Sequence, residues 1–187
     1  NSVIFLIMIS DEEIFNRMKT GWNSGRNISP CGSGSELEKT KKLLEWLPKI
    51  TDKYNIKIFN DAGAGDLNWI KHINWNVDYK GYDLYPRHPD VQQFDISKEL
   101  MRPCDMILCR MVFVHLPLDR ILKALDLFKQ SGKYLISTNY HSAQKNKLDF
   151  NSPFHHIRLT DDIFGLGEPI DGIEDTNNMN DLSIWRL

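Results

Sequence analysis

Two glycines and one aspartate form the first group of residues whose types and spacing could carry chemistry. They stand in Asp61-Ala62-Gly63-Ala64-Gly65, directly after an apolar run. Glycines at the end of a strand let the backbone turn tightly and approach a ligand, because no Cβ stands in the way. A dinucleotide-binding fingerprint would have a third glycine where Asn68 stands, and it does not usually begin with a carboxylate. The pattern therefore indicates a ligand-binding turn and argues against NAD.

Two further aspartates follow the next two apolar runs. Asp83 lies in Gly81-Tyr82-Asp83-Leu84, eighteen residues after Gly65, and Asp95 lies in Phe94-Asp95-Ile96. A carboxylate at the end of the second strand can accept both hydroxyl protons of a ribose. A carboxylate after the third strand can accept a hydrogen bond from an exocyclic amine while apolar neighbours cover a purine. Together the three carboxylates predict a ligand that contains adenosine.

Each aspartate also has a structural interpretation. Asp83 could cap a turn, and Asp95 could cap a helical turn that starts at Ser97. Asp61 could anchor the amides of the glycine turn without contacting the ligand. We expect ligand contacts from Asp83 and Asp95, and a place within the site for Asp61.

Short apolar runs predict the strands that would bring these residues to one edge of a sheet. Five parallel strands are expected over Ile56–Asn60, Tyr79–Leu84, Val91–Ile96, Met106–Met111 and Lys133–Asn139. They alternate with helices, as a doubly wound α/β sheet requires. The stretches Pro169–Glu174 and Leu182–Leu187 flank a segment rich in Asn and Asp, which predicts a C-terminal antiparallel hairpin.

Two helices follow from capping and periodicity. A capping box of Ser35 and Glu38 precedes apolar residues at helical spacing, and we expect Pro48 to end this helix. The second helix has Pro117 in its first turn and Gly132 as its C-cap.

The N-terminal region is expected to hold a further short helix over Asp11–Lys19 and a polar loop over Gly21–Ser35. We predict one domain, in which residues 1–50 supply N-terminal helices and a loop that covers cofactor or substrate, and residues 51–187 form the core. Residues 1–7 are expected to be upstream sequence that contributes nothing to the fold.

Composition limits the possible functions. The chain has 187 residues, 41% of them hydrophobic, which suits one core. Lys and Arg number 23 against 25 Asp and Glu, so no basic field favours nucleic acid. Three cysteines without a CxxC pair argue against a disulfide framework and favour the cytoplasm. The longest apolar run, Val3–Ile9, is far shorter than the roughly 20 residues that a membrane helix needs.

From Ile56 to Tyr140 these motifs resemble the class I S-adenosylmethionine-dependent methyltransferases. In that family the stretch like Asp61–Gly65 lies under the methionine and ribose, the acid like Asp83 binds the ribose hydroxyls, and the acid like Asp95 binds the adenine amine. The resemblance implies a Rossmann-like, mostly parallel seven-stranded sheet and S-adenosylmethionine as cofactor. The cofactor-binding residues that it implies are Asp61, Ala62, Gly63, Ala64, Gly65, Asp83, Leu84, Asp95, Ile96, Cys109 and Arg110.

A second, closer resemblance is to a small subgroup of these enzymes. It runs through Cys104–Pro117 and Ser131–Ile136, and Gly32–Ser35 is similar to the subgroup's upstream Ser-Gly-Ser stretch. The chain departs from the subgroup at Met111, where an Asp is usual, and at Ala64, where a Cys is frequent. Met111 removes a charge beside the place where the methyl acceptor should lie, so it bears on catalysis more than on cofactor binding.

His115 and Arg110 are the candidate catalytic residues. His115 could take a proton from a hydroxyl or amine nucleophile, or it could fix the loop before Pro117 by a backbone hydrogen bond. Arg110 could orient an acidic acceptor or the cofactor carboxylate, or it could pair with Asp105 or Asp66.

Other histidines and aromatic residues carry weaker signals. Tyr140 and His141 are expected at the same rim of the sheet and could line an acceptor pocket. Adjacent histidines at His155 and His156 lack a third ligand at suitable spacing, so we expect no metal site.

The predicted function is therefore methyl transfer from S-adenosylmethionine to an acceptor that the sequence does not identify, most simply a small molecule or a glycan. One alternative is a protein that binds the cofactor without transferring the methyl group, as a sensor or partner subunit, and Met111 favours it. A nucleotide-dependent oxidoreductase of the same topology is a third possibility, which the missing third glycine opposes.

Overall fold

The computed structural model describes Asn16 and residues 29–141, 154–175 and 180–187. Residues 1–7, the predicted helix over Asp11–Lys19 apart from Asn16, and most of the loop over Gly21–Ser35 lie outside the described residues. In the described part, no helix combines the length and the apolar character needed to cross a membrane.

Seven strands form one sheet in the order β3-β2-β1-β4-β5-β7-β6. The first five are parallel, and β7 runs antiparallel to both β5 and β6. This arrangement confirms the predicted Rossmann-like sheet with its C-terminal hairpin. The strands are β1 Ile58–Ala62, β2 Asp78–Asp83, β3 Val91–Gln93, β4 Cys104–Cys109, β5 Gly132–Asn139, β6 Asp171–Glu174 and β7 Asp181–Arg186.

Two long helices, α1 Leu37–Lys53 and α2 Leu118–Ser131, cover opposite faces of the sheet. Side chains alternate between the faces of a strand, and β4 shows the consequence. Ile107 packs in the same apolar cluster as the buried side of α2, whereas Met106 and Leu108 pack in the cluster that contains the buried side of α1. The central strand β4 therefore buries apolar side chains on both of its faces, as in other sheets covered on both faces.

Pro48 does not end the first helix, contrary to the prediction from its residue type. It lies inside α1, which continues to Lys53. A proline removes one helical hydrogen bond, but Leu47 and Ile50 on either side of it are fully or almost fully buried. Burial of this apolar stripe outweighs the local cost, because most helical stability in proteins comes from tertiary packing.

The predicted capping box is also wrong. Ser35 lies in a short 3-10 turn, Ser33–Ser35, and Glu36 is the N-cap of α1 without a side-chain capping bond. Gly132 does cap α2, although in an extended conformation that leads directly into β5. A left-handed cap is unnecessary here because the chain passes from helix to strand without a loop.

Three strand boundaries differ from the predicted ones and change the context of site residues. β1 ends at Ala62, so Asp61 is part of the strand and not of the turn after it. β3 ends at Gln93, which leaves Asp95 in the following turn, and β4 ends at Cys109, which leaves Arg110 and Met111 beyond the strand. Turn geometry, and not hydrophobicity, ends these strands.

We predict that Pro48→Ala stabilises the protein by about 1–3 kcal/mol, because alanine restores a helical N–H donor at an interior position of α1. Chemical denaturation of both proteins measures the free energy of unfolding. Pro117→Ala is the control, since Pro117 is the N-cap of α2 and its N–H is not needed inside that helix. A lower stability of Pro48→Ala would mean that the ring itself packs favourably.

Candidate functional site

The candidate site is a cavity of about 350 Å³ at the carboxyl ends of the parallel strands. It lies at the switch point of the sheet, where β1 pairs with β2 on one side and with β4 on the other. The connections on the two sides of this point run in opposite directions along the sheet. Open α/β sheets bind ligands in the crevice at such a point. Most of the residues implied as ligand contacts line this cavity: Asp61, Gly63, Ala64, Gly65, Asp83, Leu84, Asp95, Ile96 and Arg110, together with His115.

Ala62 and Cys109 are exceptions. Both are fully buried last residues of their strands, β1 and β4, and neither lines the cavity. Their side chains belong to the apolar cluster that contains the buried side of α2. The sequence motif includes them because they stand beside residues that line the cavity, but the pleat turns their side chains into the core.

The glycine turn needs its glycines for conformation and for space. Gly63 and Gly65 have positive φ angles of 106° and 58°, which favour glycine. A Cβ at Gly63 would collide with Val112, and one at Gly65 would lie 2.6 Å from the sulfur of Cys31. The turn is thus packed tightly between the loop after β4 and the segment before α1.

Asp83 holds the glycine turn and keeps capacity for a ligand. Its Oδ2 accepts the N–H of Gly65 and its Oδ1 accepts the N–H of Tyr85, both at 2.9 Å. A carboxylate offers about four acceptor positions, so each oxygen can take one more donor. Burial raises the pKa of Asp83 above its usual value, while these two amide bonds oppose the shift. The capping and ligand-binding interpretations are therefore compatible.

Asp61 is almost completely buried and accepts a hydrogen bond of 2.8 Å from the hydroxyl of Tyr79. Burial raises its pKa to about 7, although the Tyr79 bond and the positive charge of Arg110 act in the opposite direction. Near neutral pH this carboxyl is poised between its two forms. A cation entering the cavity would favour the ionised form.

Asp95 performs the capping role that the sequence left open, and it lines the cavity as well. Its Oδ1 accepts both the N–H and the hydroxyl of Ser97, at 3.0 and 2.7 Å. Its Oδ2 lies 3.4 Å from the guanidinium of Arg120 and 3.5 Å from the ammonium of Lys98. Burial would raise the pKa of Asp95, but the Ser97 bonds and the two cations outweigh burial and lower it.

Arg110 pairs with neither Asp105 nor Asp66, the two partners that the sequence suggested. Its Nε and Nη2 donate to the carboxylate of Asp175 at 2.9 and 3.0 Å, and its guanidinium carbon lies 5.6 Å from the centre of the Trp69 ring. Asp175 directly follows β6, so sequence distance concealed this pair.

The two rejected partners are used elsewhere. Asp105 accepts the N–H groups of Lys57 and Ile58 and pairs with Lys133, while Asp66 binds Ser29 and the N–H of Asn68.

His115 and Met111 also line the cavity. His115 ends a 3-10 turn, Phe113–His115, and its ring meets the edge of Phe154 with 5.5 Å between ring centres. Met111 has a φ of 58°, which is unusual for a non-glycine residue, and its N–H donates to Thr138. Its sulfur lies 4.0 Å from the hydroxyl of Tyr140, and burial raises the pKa of Tyr140 to about 12.

Solved structures resemble this architecture. NodS, an N-methyltransferase from Bradyrhizobium japonicum WM9 in complex with S-adenosyl-l-homocysteine, matches with a TM-score of 0.61 and 11% identity over 86% of this chain and 93% of that chain. Magnesium protoporphyrin IX methyltransferase (ChlM) from Synechocystis PCC 6803, with bound SAM, matches with a TM-score of 0.55 and 14% identity over 82% and 80%. No family model and no curated protein matches the sequence.

The chain has the class I methyltransferase fold. Its mostly parallel seven-stranded sheet is the feature that the sequence resemblance implied, and the structure adds the strand order, with an antiparallel β7 between β5 and β6. Within this methyltransferase fold, the cavity described above occupies the switch point between β1 and β4.

Arg120 is a cavity residue of the methyltransferase fold that sequence reasoning missed. It is 8% exposed and its guanidinium bonds Asp95 and Ser97. The sequence did contain a signal for the burial of Arg120, because it precedes Ala124 and Phe128 at helical spacing. All three residues lie on the buried side of α2. Trp69 and Arg87 are further cavity residues that were missed, whereas Cys31 belongs to the loop over Gly21–Ser35 that was expected to cover cofactor or substrate.

Two of the remaining histidines contact side chains near the rim of the sheet. His141 does not line the cavity, because its ring is 3.0 Å from Asp181 at the start of β7. His156 stacks on Tyr140 with 4.3 Å between ring centres. Among the described residues, no group of three His, Cys, Asp or Glu side chains could hold a metal ion.

We predict that Asp61→Asn makes stability less dependent on pH. Because the pKa of Asp61 is higher in the folded protein than the usual value of 3.8, the folded protein binds more protons at this group than the unfolded chain does. The protonated group therefore contributes its full stabilisation below pH 3.8, and this stabilisation is lost as the pH rises through about 7. The variant should therefore gain stability relative to the unaltered protein over this range, while its amide oxygen can still accept from Tyr79. Melting temperatures measured across the range test this.

Asp126→Asn is the control for this experiment, because Asp126 is exposed on α2, outside the cavity. It should leave the slope unchanged. Parallel stability curves for Asp61→Asn and the unaltered protein would contradict the prediction.

Proposed function

We propose that this protein transfers a methyl group from S-adenosylmethionine to a small-molecule acceptor. One observation carries the proposal: Asp61, Asp83, Asp95 and the glycine turn line one cavity at the switch point of a class I methyltransferase fold. The structures of NodS with S-adenosyl-l-homocysteine and of ChlM with SAM support a cofactor of this kind.

The residues present fit this cofactor. Asp83 would accept the ribose hydroxyls on the two oxygens that each already bind one amide. Asp95 would accept the adenine amine on Oδ2, since its Oδ1 is occupied by Ser97. Asp61 would meet the amino-acid part of the cofactor. The described part of the cavity thus supplies acceptors for the adenine amine, the ribose hydroxyls and the ammonium of the ligand.

When bound, the cofactor supplies an electrophilic methyl group with its own leaving group. The chain mainly has to orient the reactants and exclude water. His115, which lines the cavity with Met111 and Leu116, would accept a proton from the hydroxyl or amine of the acceptor. The glycine turn and the residues before α1 would enclose the cofactor.

A second candidate function is cofactor binding without transfer, as in a sensor or a partner subunit. Met111 favours it, because a thioether with a left-handed backbone stands where a charged group would help to bind an acceptor. Transfer of labelled methyl groups to a metabolite extract would support the enzyme, whereas tight binding without any transfer would support the second function.

The three cysteines also bear on where the protein works. Cys31, Cys104 and Cys109 are all unpaired, and Cys104 and Cys109 are buried. We propose a cytoplasmic setting, because free thiols persist in a reducing compartment.

We predict that Asp83→Ala weakens S-adenosylmethionine binding by on the order of 100-fold, because two charge-assisted hydrogen bonds to the ribose are lost. Isothermal titration calorimetry with S-adenosylmethionine, S-adenosylhomocysteine and NAD measures this and also tests the oxidoreductase alternative. Asp83→Asn, which keeps one oxygen for the Gly65 amide, separates ligand binding from damage to the turn.

Asp126→Ala is the matched control for Asp83→Ala, since it removes the same charge from the exposed side of α2. Equal affinity of Asp83→Ala and the unaltered protein would rule out this cofactor site. A melting temperature far below that of the control would assign the loss to misfolding.

We also predict that His115→Ala lowers methyl transfer by about 100-fold or more while cofactor affinity changes little, because the role proposed for His115 is to accept a proton from the acceptor and not to bind the cofactor. Labelled transfer measures the rate, and calorimetry measures the affinity. His72→Ala, at an exposed position outside the cavity, is the control. If His115→Ala weakened cofactor binding as much as transfer, His115 would be a structural residue of its loop.

A further inference from the structure

A buried ion pair connects the C-terminal hairpin to the cavity. Arg110 follows β4 and Asp175 follows β6, 65 positions later in the chain, with β5 and β7 between these strands in the sheet. The two side chains are 5% and 0% exposed. Asp175 is itself fixed, because its N–H donates to the carbonyl of Asn180 at the other end of the hairpin loop. Such a pair needs good geometry, since taking both charges out of water is costly.

The pair leaves part of the guanidinium available. Nε and Nη2 of Arg110 donate to Asp175, and the described residues offer Nη1 no hydrogen-bond partner. The Trp69 ring beside the guanidinium further restricts its position. Because Arg110 lines the cavity, a ligand bound in the cavity is a candidate partner for its remaining N–H groups.

A carboxyl group lies near this cation in the same cavity. Asp61 is on β1, the neighbour of β4, and burial raises its pKa while the charge of Arg110 lowers it, so the two groups interact. A free α-amino acid group carries an ammonium and a carboxylate on one carbon. An acid on β1 and an arginine directly after the adjacent strand β4 offer a complementary pair of charges for such a zwitterion.

We propose that Asp175 is a positioning residue, which holds Arg110 so that the remaining N–H groups of Arg110 bind the carboxylate of the amino-acid part of S-adenosylmethionine. The inference rests on the proposed function and deepens it. A bidentate pair fixes the plane of the guanidinium, so that less freedom is lost when a second carboxylate binds. Arg120 is not available for this task, because it bonds Asp95 and Ser97.

The test compares two ligands that differ in the group concerned. S-adenosylhomocysteine contains the amino-acid part, and 5′-methylthioadenosine has the same adenosine and thioether without it. Calorimetry on Arg110→Gln should show S-adenosylhomocysteine binding weakened by about 10- to 100-fold, with little change for 5′-methylthioadenosine. Asp175→Asn should weaken the same ligand selectively but less, and Arg110→Lys should restore part of the affinity.

A paired variant keeps the test informative if the single changes impair folding. Arg110→Met combined with Asp175→Leu removes both buried charges together, and such replacements are often neutral for stability. It should lose the preference for S-adenosylhomocysteine while melting as a folded protein. Arg102→Met with Asp78→Leu is the control, because it removes an Arg–Asp pair outside the cavity and should keep the preference.

The outcomes separate this inference from the proposed function. If the unaltered protein binds neither ligand, the proposed function fails and this inference fails with it. If it binds both ligands but Arg110→Gln weakens them equally, or weakens neither, the cofactor site stands and this inference alone is overturned.

Discussion

The hydrogen bond from the Gly65 amide to Asp83 joins the turn after β1 to the end of β2, and the candidate site depends on it. The turn has two residues with positive φ and is pressed between Val112 and Cys31, so it needs an external anchor. The carbonyl of Tyr82 accepts the N–H groups of Gly63 and Ala64, and Asp83 completes the anchor with one lone pair of one oxygen while it keeps others for a ligand. The same carboxylate can therefore shape the site and bind in it.

Charge in the cavity is arranged before any ligand arrives. Asp95 is held by Ser97 and Arg120, Arg110 by Asp175, and Asp61 by the hydroxyl of Tyr79. Groups fixed in this way do not have to reorganise when a ligand binds, and burial strengthens each interaction. Asp61 differs from the other groups, because burial raises its pKa to about 7 and its charge is therefore not fixed near neutral pH.

Local sequence rules failed where tertiary packing was stronger and at the edge of the cavity. Pro48 is tolerated inside α1 because Leu47 and Ile50 bury the helix against the sheet. Met111 adopts a left-handed conformation beside the cavity, where its amide is held by Thr138. Unusual backbone conformations of this kind concentrate at binding and catalytic edges, since the surrounding structure must hold them.

The alternation of strands and helices, the glycine turn and the three aspartates could be predicted from the sequence, because they depend on residue types and on spacings of a few residues. The pairing of Arg110 with Asp175 and the support of Asp95 by Arg120 could not, and they emerge only in the folded chain. These partners are 65 and 25 positions apart, and several acids compete for each arginine along the chain. The order of the strands in the sheet brings Asp175 within bonding distance of Arg110, and the packing of α2 brings Arg120 within bonding distance of Asp95. Both contacts depend on how distant parts of the chain pack together, which residue types and local spacing do not specify.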